Sequence, residues 1–250
     1  MTDPNQPTPV AGLVVLDKPL AISSARAVAI VKRRLRNAGL PKSIKVGHAG
    51  TLDPLASGVL LVLVGKATRL QDRFMAGEKR YLADIDLAAF TTTDDAEGER
   101  DEVTVESPPT REHIDRVLAD HFTGTIQQTP PAFSAIKLGG RRAYAEARSG
   151  KPVQLEPRPV TIHEIAITAY VYPRLTLDIR CAKGTYIRSI ARDLGHALHT
   201  GGTLAALRRT GVGPFTIDQA ITLENLPDPL RPDHLTTTPE TRALLKPRDP

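Results

Sequence analysis

The stretch KVGHAGTLDPLASGVLLVLVG, Lys45 to Gly65, sets a polar loop with three glycines and a proline directly against six consecutive aliphatic residues, Val59 to Val64. An apolar run of that length, stopped by glycine, reads as a strand buried on both faces. A polar glycine-rich loop beside such a strand is where reactive side chains can be held on a rigid support. Asp53 is followed by Pro54, which biases the aspartate toward extended backbone. Its carboxylate can serve as a nucleophile or base; equally, a lone Asp-Pro pair is often just a turn or cap residue. His48 can present a ring to a base or be an ordinary loop histidine. Gly47, Gly50 and Gly58 suggest a phosphate cradle, yet no GxGxxG and no Gly-Lys-Ser/Thr ending is present, so a nucleotide-binding P-loop is disfavoured.

Upstream, GLVVLDKP (Gly12 to Pro19) predicts a second buried strand, ended by proline. A helix follows, capped by Ser23 or Ser24, with Val28, Val31 and Leu35 at helical spacing, and closed by Gly39 and Pro41. Its exposed face is basic. Downstream, YLADIDLAAF, VTIHEIAITAYVY and RLTLDIRCA read as strands, Thr110 to Phe122 as an amphipathic helix, and GTYIRSIARDLGHAL as a helix ending near Leu198. TTTDDAEGERDE is an acidic turn or loop. From Thr125 the chain is extended, with a helix expected at Ala143 to Arg148. Strands outnumber helices without alternating regularly with them, so the expected class is α+β with a mixed sheet.

The 250 residues carry 33 Lys and Arg against 28 Asp and Glu, with 40% apolar and 4% aromatic residues. That excludes fibrous and wholly disordered classes. A single cysteine, Cys181, makes neither an intramolecular disulfide nor a cysteine-rich zinc site. No apolar run approaches the roughly 20 residues of a membrane helix, and the N-terminus lacks signal-peptide features; a cytoplasmic protein is expected. The net charge of +5 conceals segregation: +8 over residues 1–80, −9 over 81–136, +8 over 137–209 and −2 over 210–250. Two basic blocks around an acidic one suit a polyanion-binding face, with nucleic acid the leading partner, although solvated helix faces account for such runs about as well.

A second candidate site lies in CAKGTYIRSIARDLG, where Arg188 stands one helical turn from Arg192 and Tyr186 near the start. Arg188 can orient a carboxylate through a paired hydrogen bond, or be a surface arginine. Tyr81, after the basic GEKR, can face a substrate or pack in the core.

Taken together, VLDKPLAISS, KVGHAGTLDPLASGVLLVLVGKATRL, EKRYLADIDL, TTTDDAEGE, QTPPAFSAIKLGGRRAYAEAR, RCAKGTYIRSIARDLG and LRRTGVGPF resemble the tRNA pseudouridine synthases of the TruB type, in that family's order from Leu13 to Phe215. The resemblance implies an α+β pseudouridine synthase catalytic fold with a central mixed, mainly antiparallel sheet flanked by helices. It implies isomerisation of the uridine at position 55 in the T-arm of tRNA. By it Asp53 is the catalytic aspartate, Tyr81 the tyrosine that stacks on the uracil, and Arg188 the arginine that pairs with the aspartate. His48 matches a histidine that fills the space left by the flipped base, Leu207 a pocket leucine, and Lys18 with Pro19 a motif packed beside the site. Tyr186 and Gly47 join them as substrate-binding positions. Lys137, Arg141 and Arg142 fall in a segment, about 128–150, that resembles an RNA-contacting insertion, and are expected to meet the RNA backbone. No cofactor and no metal are implied. The partner is the T-arm stem-loop, and a monomer is expected. Residues 1–215 form the catalytic domain in this reading; residues 216–250 are expected as a short tail in place of the PUA-type domain common in such proteins.

Three rival readings are weaker. A guide-RNA-dependent relative uses long extensions, a pure RNA-binding module has no need of Asp53, Tyr81 and Arg188 together, and an RNA phosphodiesterase needs a histidine pair or clustered carboxylates. Whether Asp53 attacks C1′ or removes the C2′ proton is not decided by sequence.

Overall fold

The computed structural model describes residues 10–133, 137–138, 141–142 and 155–245. The chain divides into two compact units, one made of the residues up to Gly77 and those from Arg209 onward, the other of Glu78–Arg208.

The first unit is built on the two apolar runs. Strands β1 (Ala11–Lys18) and β3 (Ala56–Gly65) pair antiparallel, with Leu13 opposite Leu63, Val15 opposite Leu61 and Lys18 opposite Gly58. Leu13, Val59, Leu61 and Leu63 are wholly enclosed, together with Ala49, Ala67, Val212 and Phe215. Helix α1 (Ser24–Asn37) starts at Ser23, whose side chain accepts from the Arg26 N–H, and buries Ala27, Val31 and Leu35. The short strand β2 (Val46–His48) lies along β3, with His48 opposite Val62.

The second unit has β4 (Lys79–Asp86), β7 (Gly124–Gln128), β10 (Arg158–Val171) and β11 (Arg174–Cys181), ordered β4-β11-β10-β7 and all antiparallel. Leu175, Leu177, Ile179 and Cys181 alternate into its core, as the RLTLDIRCA pattern requires. β5 (Ala89–Thr91) and β6 (Arg100–Glu102) form a ribbon, and β8 (Lys137–Leu138) pairs with β9 (Arg141–Arg142). Helix α3 (Arg111–His121) is capped by Thr110. Helix α4 (Ile187–Leu198) packs closely where Gly195 meets Gly201: a Cβ on Gly195 would stand 2.5 Å from the Gly201 carbonyl oxygen.

Strand β12 (Thr203–Val212) carries the chain back into the first unit, where its end pairs with β13 (Phe215–Thr216). Short α2 (Gln71–Ala76) presents Phe74 to Phe215, their ring centroids 6.1 Å apart. The last segment, expected as a tail, is folded onto this unit. β14 (Ile221–Thr222) pairs parallel with β1, Thr236 bridges Leu13, and Leu226, Leu230 and Leu235 are buried. Leu230 N–H donates to the Arg34 carbonyl of α1, while α5 (Pro239–Ala243) sets Glu240 2.8 Å from Arg73. Every strand pair named here is antiparallel except β1 with β14, and the class is α+β as expected. The helix expected at Ala143 to Arg148 lies outside the described residues.

Candidate active site

Asp53 lies exposed on a loop that is fixed on both sides of it. Ser24, buried at the start of α1, donates its hydroxyl to the Leu52 carbonyl and accepts from the Leu52 N–H, both at 2.8 Å. Pro54 C=O accepts from Ala21 N–H at 2.9 Å, and Asp53 C=O accepts from Ala56 N–H at 3.1 Å. Arg209 holds the other flank. It is fully enclosed, and its guanidinium donates to Val59 O at 2.7 Å, Gly50 O at 3.2 Å and Thr51 O at 3.3 Å. One arginine thus ties the loop to the strand behind it, and Gly58, at φ 103°, lets the Arg209 backbone lie where a side chain would collide.

Beneath the loop Lys18 is fully enclosed, its ammonium donating to Pro19 O at 2.9 Å and Ile22 O at 2.8 Å. Burial pushes it down to about 8; the Asp53 carboxylate opposes that shift, and Arg209 adds to it. Burial also lowers His48, helped by the Arg209 charge, so its ring is neutral at physiological pH. A hydrogen bond to the Gly50 backbone opposes that shift. Lys18, Gly47, His48 and Asp53 all belong to the first unit, and the Arg209 charge acts on both Lys18 and His48.

Tyr81, Tyr186, Arg188 and Leu207 belong to the second unit. Tyr81, half-buried, stands on β4 opposite Ile179 of β11, and Leu207 is half-buried on β12. Tyr186 opens α4. Its N–H donates to Gln128 Oε1 at 2.8 Å, its carbonyl accepts from Gln128 Nε2 at 3.0 Å, and the Arg158 guanidinium sits 5.2 Å from its ring centre. Arg188, one residue into the helix, pairs with Asp95 at 3.2 Å and donates to Phe133 O at 3.0 Å. Asp95 is buried, its Oδ1 accepting from Thr93 Oγ1 at 2.6 Å and Glu97 N–H at 3.1 Å. One turn on, Arg192 pairs with Asp94 at 2.8 Å, and burial pushes the Asp94 carboxyl up against that attraction.

Sequence reasoning treated TTTDDAEGE as a turn and so missed Asp94 and Asp95; threonines around a repeated aspartate ahead of glycine were the available signal. It also missed Ser24, Gln128 and Arg209, the last marked only by an arginine amid the apolar strand that ends in TGVGPF. Lys137 and Arg142 are paired positions of β8 and β9, with Arg141 beside them; their side chains lie outside the described residues. Among the described residues no three His, Cys, Asp or Glu side chains are grouped to hold a metal, and no helix is long and apolar enough to cross a membrane.

The α+β fold is shared with solved structures. A Cbf5-Nop10-Gar1 complex matches with TM-score 0.67 and 30% identity over 90% of this chain and 59% of that one. An H/ACA ribonucleoprotein bound to a substrate RNA containing 2′-deoxyuridine matches with TM-score 0.62 and 29% identity over 86% and 52%. The chain spans little more than half of each. The class these features define is the pseudouridine synthase. Residues 33–187 match the model of the TruB family pseudouridylate synthase N-terminal domain, and residues 188–249 that of the tRNA pseudouridylate synthase B C-terminal domain; the chain belongs to the TruB family. Similar proteins include the tRNA pseudouridine synthase B of Arthrobacter sp. (strain FB24), 46% identical over 96% of this chain and 78% of that one, and of Thermobifida fusca (strain YX), 47% identical over 86% and 74%.

Proposed function

We propose that this TruB family enzyme converts uridine to pseudouridine at position 55 in the T-arm of tRNA, with Asp53 as the catalytic carboxylate. The observation that carries the reading is the anchoring of the loop around Asp53: residues 50, 51, 52 and 54 are each hydrogen-bonded to other segments, and the Asp53 side chain is exposed. A carboxylate held in one place and left accessible is what attack on, or proton removal from, a ribose requires.

A uridine in a folded loop is stacked, so its C1′ and C5 are reached only after extrusion, which costs a few kcal/mol and is offset when aromatic rings receive the base. Tyr81 and the neutral ring of His48 are suited to that task, with Leu207, Tyr186, Gly47 and Lys18 as further substrate-binding residues. The C1′–N1 bond breaks, the uracil turns, C5 bonds to C1′, C5 loses its proton and N1 gains one. Atoms and electrons balance without a donor or oxidant, and no metal or cofactor is required. Arg188 orients the Asp53 carboxylate in this reading and is itself held by Asp95. Lys137, Arg141 and Arg142 meet the RNA backbone. The enzyme acts as a cytoplasmic monomer.

The test is tritium release from tRNA labelled at uridine C5, for the parent and for Asp53→Asn. Release by the parent alone is expected. Release by both would remove Asp53 from the chemistry, and tight binding without release by either would favour an RNA-binding role.

A further inference from the structure

Helix α1 and the segment after it carry cations that no carboxylate neutralises. Between Asp17 and Asp53 the sequence has eight Lys and Arg and no Asp or Glu. Two of the eight are engaged internally: Lys18 on main-chain carbonyls, and Arg34 on the Leu226 carbonyl and, at 3.9 Å, on Asp228. The other six, Arg26, Lys32, Arg33, Arg36, Lys42 and Lys45, have no carboxylate partner among the described residues. Exposure alone does not leave an arginine so. Arg73, Arg80 and Arg100 are all exposed, and each has a carboxylate at 2.8 Å.

Arg26, Arg33 and Arg36 are exposed and spaced i, i+7 and i+10, so they form one row on the face opposite the buried Ser24, Ala27, Val31 and Leu35. At 1.5 Å per residue the row is about 15 Å long. Arg36 Nη2 donates to Lys42 O at 3.1 Å, which brings the Lys42 backbone up to the helix end. Arg34 and Arg36 in the last turn suit the helix dipole, but the rest of the row does not. Arg26 sits in the first turn, at the positive end of the helix dipole, and Arg36 lies within one turn of both Lys32 and Arg33. A polyanion lying along the row would relieve that repulsion. Its position supplies the direction: Ser24, two residues before Arg26, is bonded to Leu52, next to Asp53.

We propose that Arg26, Arg33 and Arg36, continued by Lys42 and Lys45, form a track for the phosphodiester backbone of the RNA strand that flanks the uridine delivered to Asp53. The proposal rests on the tRNA reading above and adds to it the surface on which that substrate lies.

The experiment measures binding of unmodified tRNA to the full chain across a KCl series, for the parent, R26Q/R33Q/R36Q, R26K/R33K/R36K and the matched control R73Q/R174Q/R242Q. Each phosphate contact contributes roughly 0.7 to 0.9 to the slope of log K against log salt, so the glutamine variant should lose about two units of slope and bind at least about tenfold more weakly at low salt. The lysine variant and the control should keep the parental slope. A parental slope in the glutamine variant, or an equal loss in the control, would overturn the track. So would a glutamine variant that keeps its tRNA affinity but no longer binds the phosphatidylserine vesicles that the parent binds, because the face would then belong to a lipid surface. Failure of the isomerase reading is read separately, as no tritium release by the parent while its tRNA binding still depends on α1.

Discussion

Arg188 Nη1 lies 3.2 Å from Asp95 Oδ2, and both side chains are nearly enclosed, at 11% and 3% exposure. Asp95 thus holds the Arg188 guanidinium, and is itself held by Thr93 Oγ1 and the Glu97 N–H. Removing one partner of a buried pair leaves the other uncompensated, which costs more than the pair contributes.

Asp95→Asn keeps the acceptor for Thr93 and Glu97 but removes the charge facing Arg188. It should destabilise the fold by about 3 kcal/mol in urea unfolding and lower single-turnover tritium release at least tenfold. A parental rate in a folded Asp95→Asn protein would show that Arg188 needs no such support.

Arg209→Met should leave the carbonyls of Val59, Thr51 and Gly50 without their donor. The buried Val59 carbonyl so orphaned costs about 1 kcal/mol or more, and the loop that carries Asp53 loses its tie to β3. The expected result is a fall in kcat with KM little changed. Arg209→Lys can reach fewer of the three carbonyls and should restore only part of the rate; a fall confined to KM would count against a role in placing Asp53.

Ala21 has φ 63°, in the left-handed region, where its Cβ is strained, and its N–H donates to Pro54 O beside Asp53. Relief of that strain is worth about 1 to 2 kcal/mol, and glycine loses roughly half of it again through the entropy of the unfolded chain. Ala21→Gly should therefore raise stability slightly, by about 0.5 kcal/mol, with activity retained. Calorimetry checks this, and a lowered Tm would contradict it.

Lys18 gives a pH signature. Burial brings its ammonium down to about 8 from the ordinary 10.5. Between those values the unfolded chain holds a proton that the folded chain has released, so this residue's contribution to stability rises with pH across that window and is lowest below it. Cys181 acts in the opposite sense: burial pushes its thiol from 9.0 up to about 11, the folded form keeps the proton, and stability falls over that range. Comparison with Lys18→Met cancels the cysteine. The parent's stability relative to the variant should climb from pH 8 to 10.5 in urea unfolding, and a flat difference would show that the ammonium is not shifted.

Much of this protein was legible along the chain. The runs Leu13 to Leu16 and Val59 to Val64, the Ser23 cap, the inward face of α1 and the alternation in RLTLDIRCA all express local rules, because burial recurs at the period of the element that the residues form. Asp53 could be read along the chain only as a candidate, a carboxylate in a short polar loop beside a buried strand that could equally be a turn residue. The family motifs added roles that periodicity does not encode.

Sequence by itself thus determined the elements, the α+β class and the loop that bears the aspartate. Only the tertiary structure decided what holds that loop. Arg209 meets Val59 from 150 residues away and Thr51 from 158, and Asp95, read along the chain as part of an acidic turn, is enclosed against Arg188. The folding of residues 221–244 onto β1 and α1 was likewise invisible, since the segment has few apolar residues and Leu226, Leu230 and Leu235 find a core that earlier strands supply. The physical reason is common to these cases. A buried hydrogen bond between distant segments depends on which groups the chain's return leaves facing one another out of water, and no local period records that.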